Sequence, residues 1–515
     1  METILTGAEA RSKLLVGVNK LANSIKGTLG PNARTVVIQN PMGGMPVIIN
    51  DGVSIARMVN DKDPYVQMGI DLLKEVASEA QQKSGDGTTS ATLIAQALCN
   101  GSLTLMENGT SPLVIRDALK SYLAATEEYV RESAIEDFDL KDVATIAANN
   151  DGELGELIAG VVKRGHGITI EKSPTSETYV KKGSGFEMNA GYAHALMANA
   201  PRAKCEFENP MVLTTTEKIS TFNALVPALE AAVKSNRPLV VFCSDFNGQM
   251  LQNLLVNIVQ GKVSVCMIKP AGMPEQQQAW LEDVAAATGA KLFKVSLNES
   301  IVNITSDDLG SCEKFVSSQT DTILTLKSTH ELEKYVDGLE DLGLEAENDW
   351  LAEQYHNRAK RLGKGISTIY VGGASEIEQV ETKERVDDAV NACKLALSSG
   401  VVIGGGATLY AAANELDEVG DVADLFRDAL ITPLHTIAQN TGVSDNVYRP
   451  RLPLLREALL NGEPKYMCGI TGLIKDAKED GVLDPMQVVL NSLESAVSIA
   501  ALVLMTDAAI IAPSD

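Results

Sequence analysis

The stretch Gly85-Asp86-Gly87-Thr88-Thr89-Ser90-Ala91-Thr92 constrains this chain more than any other, because it sets a flexible acidic turn and three hydroxyls at the entrance of a helix. Before it, Pro64 to Lys83 carries apolar residues at helical spacing (Val66, Ile70, Leu73, Val76) and stops at Ser84-Gly85. A second helical pattern starts at once, through Ala91, Leu93, Ile94, Ala97 and Leu98. The first N–H groups of a helix lack intrahelical partners and sit at the positive end of its dipole, so this turn can hold an anion. The glycines let a phosphate approach the backbone, and the Thr and Ser hydroxyls add donors. Asp86 would repel a bare phosphate; a carboxylate there suits Mg²⁺ carried by a nucleotide. Taken alone, the motif fits an ordinary Asp-Gly turn followed by threonine capping better than it fits a ligand site.

The common phosphate loops are absent: there is no Gly-x-x-x-x-Gly-Lys-Ser/Thr, and no Gly-x-Gly-x-x-Gly between a strand and a helix. Other small-residue turns could close around the same ligand. Thr28-Leu29-Gly30-Pro31 ends an amphipathic helix running from about Ala8 to Lys26. Asn50-Asp51-Gly52 ends a short strand, Val47-Ile48-Ile49, which is predicted to pair with Val36-Val37-Ile38. Gly404-Gly405-Gly406 follows the apolar run Val401-Val402-Ile403 and opens another helix.

Together, Thr28-Leu29-Gly30-Pro31, Asn50-Asp51-Gly52-Val53-Ser54-Ile55-Ala56-Arg57, Gly85-Asp86-Gly87-Thr88-Thr89, Arg385-Val386-Asp387-Asp388-Ala389 and Gly404-Gly405-Gly406 resemble, in order and spacing, the signatures of the group I chaperonins. These are the bacterial and organellar ring-shaped, ATP-driven folding machines. The similarity runs from Arg11 to Pro485, nearly the whole chain. Group II relatives share Gly-Asp-Gly-Thr-Thr, but the Leu-Gly-Pro start and the Arg-Val-x-Asp-Ala form fit group I better.

The resemblance implies a multidomain α+β and α/β ring subunit. A mostly helical equatorial domain would be built from residues 1–133 and 399–515, a small α/β intermediate domain from 134–183 and 366–398, and an α/β apical domain from 184–365. The residues agree with this layout. A chain of 515 residues exceeds what one core usually organises. In its centre, short β-rich pieces (Met211-Val212-Leu213, Leu239-Val240-Val241-Phe242, Val263-Ser264-Val265, Lys291-Leu292-Phe293) alternate with helices, as in an α/β domain with a partly parallel sheet. Gly183, Gly185 and Gly365 fall where the intermediate and apical parts should join and could serve as hinges.

Residue by residue, the resemblance implies ATP and Mg²⁺ as ligands. Asp86 matches the magnesium ligand, and Thr88, Thr89 and Ser90, with Gly87 and the segment Thr28, Leu29, Gly30 and Pro31, match the phosphate-binding positions. Asp388 matches the carboxylate taken to activate water, and Asp51 a second catalytic carboxylate beside the γ-phosphate. Gly405, Gly469 and Ile470 match positions that wrap ribose and adenine, and Asp484 a ribose-binding carboxylate. Asn50 stands where a lysine is usual; its carbonyl could serve K⁺. Without the match, Asp388 would read as the solvated face of an amphipathic helix (Val386, Ala389, Val390, Cys393, Leu397), and Asp484-Pro485 as a turn or helix start.

Two further amphipathic patterns bear on partners. Phe222, Leu225, Val226 and Leu229 fall at i, i+3, i+4 and i+7, and Leu251, Leu254, Leu255, Ile258 and Val259 repeat the spacing on a helix predicted from Phe246 to Gly261 that carries no charge. Such stripes are usually core, yet two of these helices side by side would leave an exposed apolar groove. The resemblance assigns Tyr192, Leu196, Met197, Val226, Leu229, Leu251, Leu255 and Val256 to the binding of non-native chains and of a lid-like co-chaperonin. It also implies a homo-oligomeric ring of seven subunits.

Several positions depart from the family pattern. Asn32-Ala33 replaces Lys-Gly, Leu196-Met197 an aromatic pair, and Cys468-Gly469-Ile470 an Asn-Ala-Ala at the adenine segment. Ala190 replaces an arginine associated with an inter-subunit salt bridge to the position of Glu376, and the chain ends Ala512-Pro513-Ser514-Asp515 without a Gly-Gly-Met tail.

A net charge of −24 argues against nucleic acid or an anionic membrane as partner, although an acidic surface is also simply a soluble one. Seven scattered cysteines without Cys-x-x-Cys read as reduced thiols, and five dispersed histidines suggest no zinc site. The start Met1-Glu2-Thr3-Ile4 has neither a basic n-region nor an Arg-rich presequence, and the apolar run Ala496 to Met505 is too short to span a bilayer. The expectation is a cytoplasmic protein, in the host cytoplasm for a viral source. The function expected is an ATP-hydrolysing chaperone that folds clients in a ring. Its rivals are a chaperonin-derived assembly scaffold with weak or regulatory ATPase activity, and a metabolic kinase, which would need a compact polar acceptor pocket.

Overall fold

The computed structural model describes residues 4–39, 47–49, 52–84, 86–163, 167–200, 203–326, 330–346, 349–363 and 365–511. The chain divides into two compact units, Met1–Lys163 with Gly373–Asp515, and Arg164–Gly372.

The first unit is helical. Gly7–Ile25, Pro64–Ser84, Thr88–Glu107, Pro112–Glu132, Asp421–Thr441 and Met486–Met505 surround an aliphatic core that includes Leu73, Ile94, Leu98, Phe426, Leu493 and Val497. Proline opens the Pro64 and Pro112 helices, where its missing N–H costs nothing. The Gly7 and Pro64 helices cross closely. A Cβ on Gly69 would lie 2.0 Å from the carbonyl oxygen of Leu14, and one on Gly17 would lie 2.1 Å from that of Val66. The run Ala496–Met505 is half of a longer helix than its own length suggests. Met486–Met505 is long and apolar enough to cross a membrane by length and composition, but 78% of its apolar window is buried among the other helices.

Short ladders tie this unit together. Val36–Ile38 pairs antiparallel with Val47–Ile49, as the sequence predicts, and Ile4–Thr6 pairs with Ala508–Ile510. Leu483–Pro485 forms a strand against Val401–Ile403 with Asp484 opposite Val402. The expected turn at Asp484-Pro485 is therefore a strand end, and the helix starts one residue later at Met486. The helices Leu140–Ala147 and Gly152–Val162 are capped by the side chains of Asp139 and Asp151, and both pack on Glu376–Ser399.

The second unit is α/β. Val265–Ile268, Leu239–Phe246, Met211–Ile219 and Leu292–Phe293 form a parallel sheet in that order, with Gly310–Ser311 antiparallel to the Met211 strand. A four-stranded antiparallel sheet holds Gly185–Met188, Thr322–Thr325, Lys314–Ser317 and Cys205–Glu208. A third sheet sets Ile366–Val371 parallel to Gly167–Lys172 and antiparallel to Tyr179–Gly183. The alternation in the sequence is realised, with two shifts. The strand expected at Val263 begins at Val265, and the uncharged helix spans Gly248–Val259, starting where Asn247 caps the Gln249 N–H.

Candidate functional site

In the first unit, one cavity of about 690 Å³ opens at the start of the Thr88 helix. Gly87 makes that start possible. Its φ is +84°, and a Cβ there would sit 2.5 Å from Ser492 Oγ and 2.8 Å from Val488 Cγ1. The Gly87 N–H donates to Asp86 Oδ1 at 2.6 Å, fixing the carboxylate beside the turn. The N-cap position is Gly87, which brings no side chain to the helix start, and Thr88, Thr89 and Ser90, whose N–H groups begin the helix, line the cavity.

The Thr28–Pro31 turn forms the adjoining wall. Thr28 Oγ1 donates to the Ile25 carbonyl at 2.8 Å and so accepts from Thr89 Oγ1 at 3.1 Å, joining the Thr28–Pro31 turn to the start of the Thr88 helix. Asn440, from the Asp421–Thr441 helix, donates to the carbonyls of Lys26 at 2.8 Å and Leu29 at 2.9 Å. This pin was not legible in the sequence, because it acts across more than 400 residues.

The opposite wall comes from the C-terminal half. Asp484 accepts from the Gly405 backbone, while burial and then the charge of Asp86 push its carboxyl up to about 6. Asp86 and Asp484 both line the cavity. Asp388, half-buried on the Glu376–Ser399 helix, lines the same cavity together with Arg385. Among the described residues no three His, Cys, Asp or Glu side chains gather as a metal cage. Asp86, a carboxylate in the cavity, is the kind of donor Mg²⁺ takes from a protein, one or two carboxylates with the remaining ligands from phosphate and water.

Gly469 and Ile470 also line the cavity, with Gly469 against Pro31, together with Tyr466, Lys475 and Asp480, which the motif matches did not single out. Tyr466 Oη donates to Asp480 Oδ2 at 2.8 Å, and Lys475 Nζ lies 3.2 Å from the same oxygen. These two partners, Tyr466 first, hold the Asp480 carboxyl below its usual range. Burial, followed by the hydrogen bond to Asp480, pushes the Tyr466 hydroxyl above the ordinary tyrosine value.

The cavity thus brings together Thr28, Leu29, Gly30, Pro31, Asp86, Gly87, Thr88, Thr89, Ser90, Asp388, Gly405, Gly469, Ile470 and Asp484. Asn50 and Asp51 lie outside the described residues.

The expected client-binding positions are not a continuous exposed groove in this chain. Leu196 and Val256 are 52% and 54% exposed and Val226 is half-buried, but Tyr192, Met197, Leu229, Leu251 and Leu255 are buried. The reason is local packing. Tyr192 bridges to Ile268 and its hydroxyl donates to the Ala203 carbonyl, and the sulfur of Met197 accepts from the Met267 N–H. Leu251 and Leu255 share a helix face with Met250 and Leu254 that packs into the core of the unit. The Gly248 helix lies against the turns Ala195–Met197 and Phe222–Ala224. The apolar surface that remains on that helix is Val256 with Val259, one turn apart. Val295, Leu297 and Val302 are also exposed in the same unit; they sit in short turns, whose lack of periodicity hid them from the sequence pattern.

Comparison with known proteins places these features. The chaperonin gp146 from bacteriophage EL 2 (Pseudomonas aeruginosa), crystallised in the presence of ATP-BeFx, matches over 100% of both chains at 18% identity with a TM-score of 0.66. A second crystal form of that protein, also with ATP-BeFx, gives 0.60 at the same coverage. At this identity the likeness establishes the fold. The family model of the TCP-1/cpn60 chaperonins matches residues 21–514, nearly the entire sequence, and the chain belongs to the TCP-1/cpn60 chaperonin family.

Proposed function

We propose that this chain is an ATP-hydrolysing chaperone subunit that assembles into a homo-oligomeric ring and binds non-native proteins through apolar surface on its α/β unit. The observation that carries the reading is one cavity in which segments distant in sequence meet, among them the start of the Thr88 helix, the Thr28–Pro31 turn, and Asp86, Asp388 and Asp484. Its volume lies within the ordinary range for small-molecule sites.

Each residue has a separate task. The N–H groups of Thr88, Thr89 and Ser90 bind phosphate oxygens, helped by the dipole of a 20-residue helix. Asp86 holds Mg²⁺, which when bound neutralises phosphate charge and favours displacement at the γ-phosphorus. Asp388 orients a water molecule and takes its proton as the oxygen attacks. Asp484, steadied by Gly405, accepts from ribose hydroxyls. The seven cysteines, all free and buried, suit a reducing compartment.

The test is recovery of a chemically denatured enzyme with and without ATP, alongside Asp388→Ala. Phosphate release should fall by roughly 10²–10⁴-fold in the variant while nucleotide binding persists. ATP-dependent recovery that the variant loses supports the folding reading. Capture without ATP-dependent release would point to an assembly scaffold, and unchanged turnover in Asp388→Ala would remove that residue from the chemistry.

A further inference from the structure

A nucleoside triphosphate needs positive charge from its site, and the cavity of the first unit offers little of it. Among the described residues that line it stand five carboxylates, those of Asp86, Glu384, Asp388, Asp480 and Asp484, against two cations, Arg385 and Lys475. The N–H groups of a helix start supply only partial charge. Lys475 is already engaged, its ammonium 3.2 Å from Asp480 Oδ2.

Arg385 is engaged far less. A guanidinium has five N–H donors and no acceptor. Here Nη2 donates to Thr382 Oγ1 at 3.3 Å and lies 3.9 Å from Glu381 Oε1, both long contacts. Nε is buried and has no hydrogen-bond partner. A buried donor left unpaired costs about 1–3 kcal/mol, and such an orphan on a cavity wall calls for an acceptor from within the cavity. The side chain as a whole is 24% exposed, so a ligand can reach it. Asp388 follows three residues later on the same face of the Glu376–Ser399 helix and lines the same cavity. Any motion of that helix carries both side chains together.

We propose that Arg385 is a catalytic residue of the hydrolysis, its guanidinium binding γ-phosphate oxygens and neutralising the charge that redistributes during phosphoryl transfer. In that step the water oxygen bonds to the γ-phosphorus and its proton passes to Asp388. The bond from phosphorus to the ADP oxygen breaks, and its electron pair leaves with ADP. The planar guanidinium can meet two phosphate oxygens at once. ADP has no γ-phosphate and gains little from it. The proposal rests on the nucleotide reading above and adds the group that supplies full positive charge on the Asp388 side.

The test pairs phosphate release with calorimetric binding of ADP and Mg²⁺, alone and with aluminium fluoride, which stands in for the phosphoryl group in transfer. The variants are Arg385→Ala and Arg385→Lys, and both should keep the wild-type unfolding midpoint because the side chain has few contacts to lose. The wild type should bind ADP more tightly with aluminium fluoride than without it. Arg385→Ala should release phosphate roughly 10²–10³-fold more slowly, the worth of one preorganised donor on a transition-state oxyanion. It should bind ADP within about two-fold of the wild type and lose most of the gain from aluminium fluoride, since the contact is made to the transferring group. Arg385→Lys keeps the charge without the fork and should fall between the two. Guanidinium ion at a non-denaturing concentration should restore part of the rate of Arg385→Ala, which a purely structural role would not allow. Turnover in Arg385→Ala near the wild-type value, or a loss of ADP affinity as large as the loss of rate, would overturn the assignment and leave the nucleotide site standing. So would a wild type that binds ADP yet neither hydrolyses ATP nor gains affinity with aluminium fluoride. Failure of the wild type to bind either ADP or ATP would overturn the nucleotide reading itself.

Discussion

Gly87 shows how a single residue can decide whether the site exists. The turn needs φ near +84°, and the space a side chain would need is taken by Ser492 and Val488. Gly87→Ala should cost about 1–3 kcal/mol of stability through backbone strain alone, read as a lower denaturant midpoint. Nucleotide affinity should fall with it, because Asp86 is fixed through the Gly87 N–H. Asp388 is the contrasting case. In the proposed function it acts on the attacking water, so its replacement should change turnover and leave the unfolding midpoint near the wild-type value.

Among the elements, the helices Pro274–Thr288, His330–Leu344 and Asp349–Gly363 are joined by one buried carboxylate. Asp283 is fully buried, and its oxygens meet Arg358 at 2.7 Å and Arg361 at 2.6 Å, with the Tyr335 hydroxyl donating at 3.2 Å. Arg361 also stacks over Trp280, its guanidinium carbon 3.4 Å from the ring centre. Asp283→Ala would leave two guanidinium groups without their shared counter-charge. The expected loss is about 3–5 kcal/mol, followed by denaturant unfolding with Trp280 fluorescence as the probe. Full stability in that variant would show that water or the neighbouring Glu282 replaces the carboxylate.

For the molecule as a whole, the proposed function requires a chain of net charge −24 to offer apolar surface to clients. The Gly248–Val259 helix carries no charged residue, and it lies against the Ala195–Met197 turn, which carries the exposed Leu196. Aliphatic contact is non-directional and suits sequence-tolerant binding. Leu196→Asp with Val256→Asp should lower capture of a denatured protein by roughly ten-fold or more, given the worth of burying two aliphatic side chains, while the variant keeps its unfolding midpoint. Leu255→Asp, at a buried position, should instead unfold the α/β unit. Capture that is indifferent to the exposed pair would move the client surface elsewhere, with Val295, Leu297 and Val302 as the next positions to change.

Local chemistry was legible in the sequence wherever it repeats along the chain. Helical spacing placed the Pro64 and Thr88 helices, alternation placed the central sheet, and glycine turns marked three walls of the cavity. Only the tertiary structure decided what no periodicity encodes. Asn440 pins the Thr28–Pro31 turn from more than 400 residues away, and Tyr466 and Lys475 converge on one oxygen of Asp480. It also decided which side of each amphipathic helix the core would take: the stripe containing Leu251 and Leu255 went inward, and Val256 and Val259 stayed out. A sequence states that a face is apolar, but burial depends on what the rest of the chain lays against it.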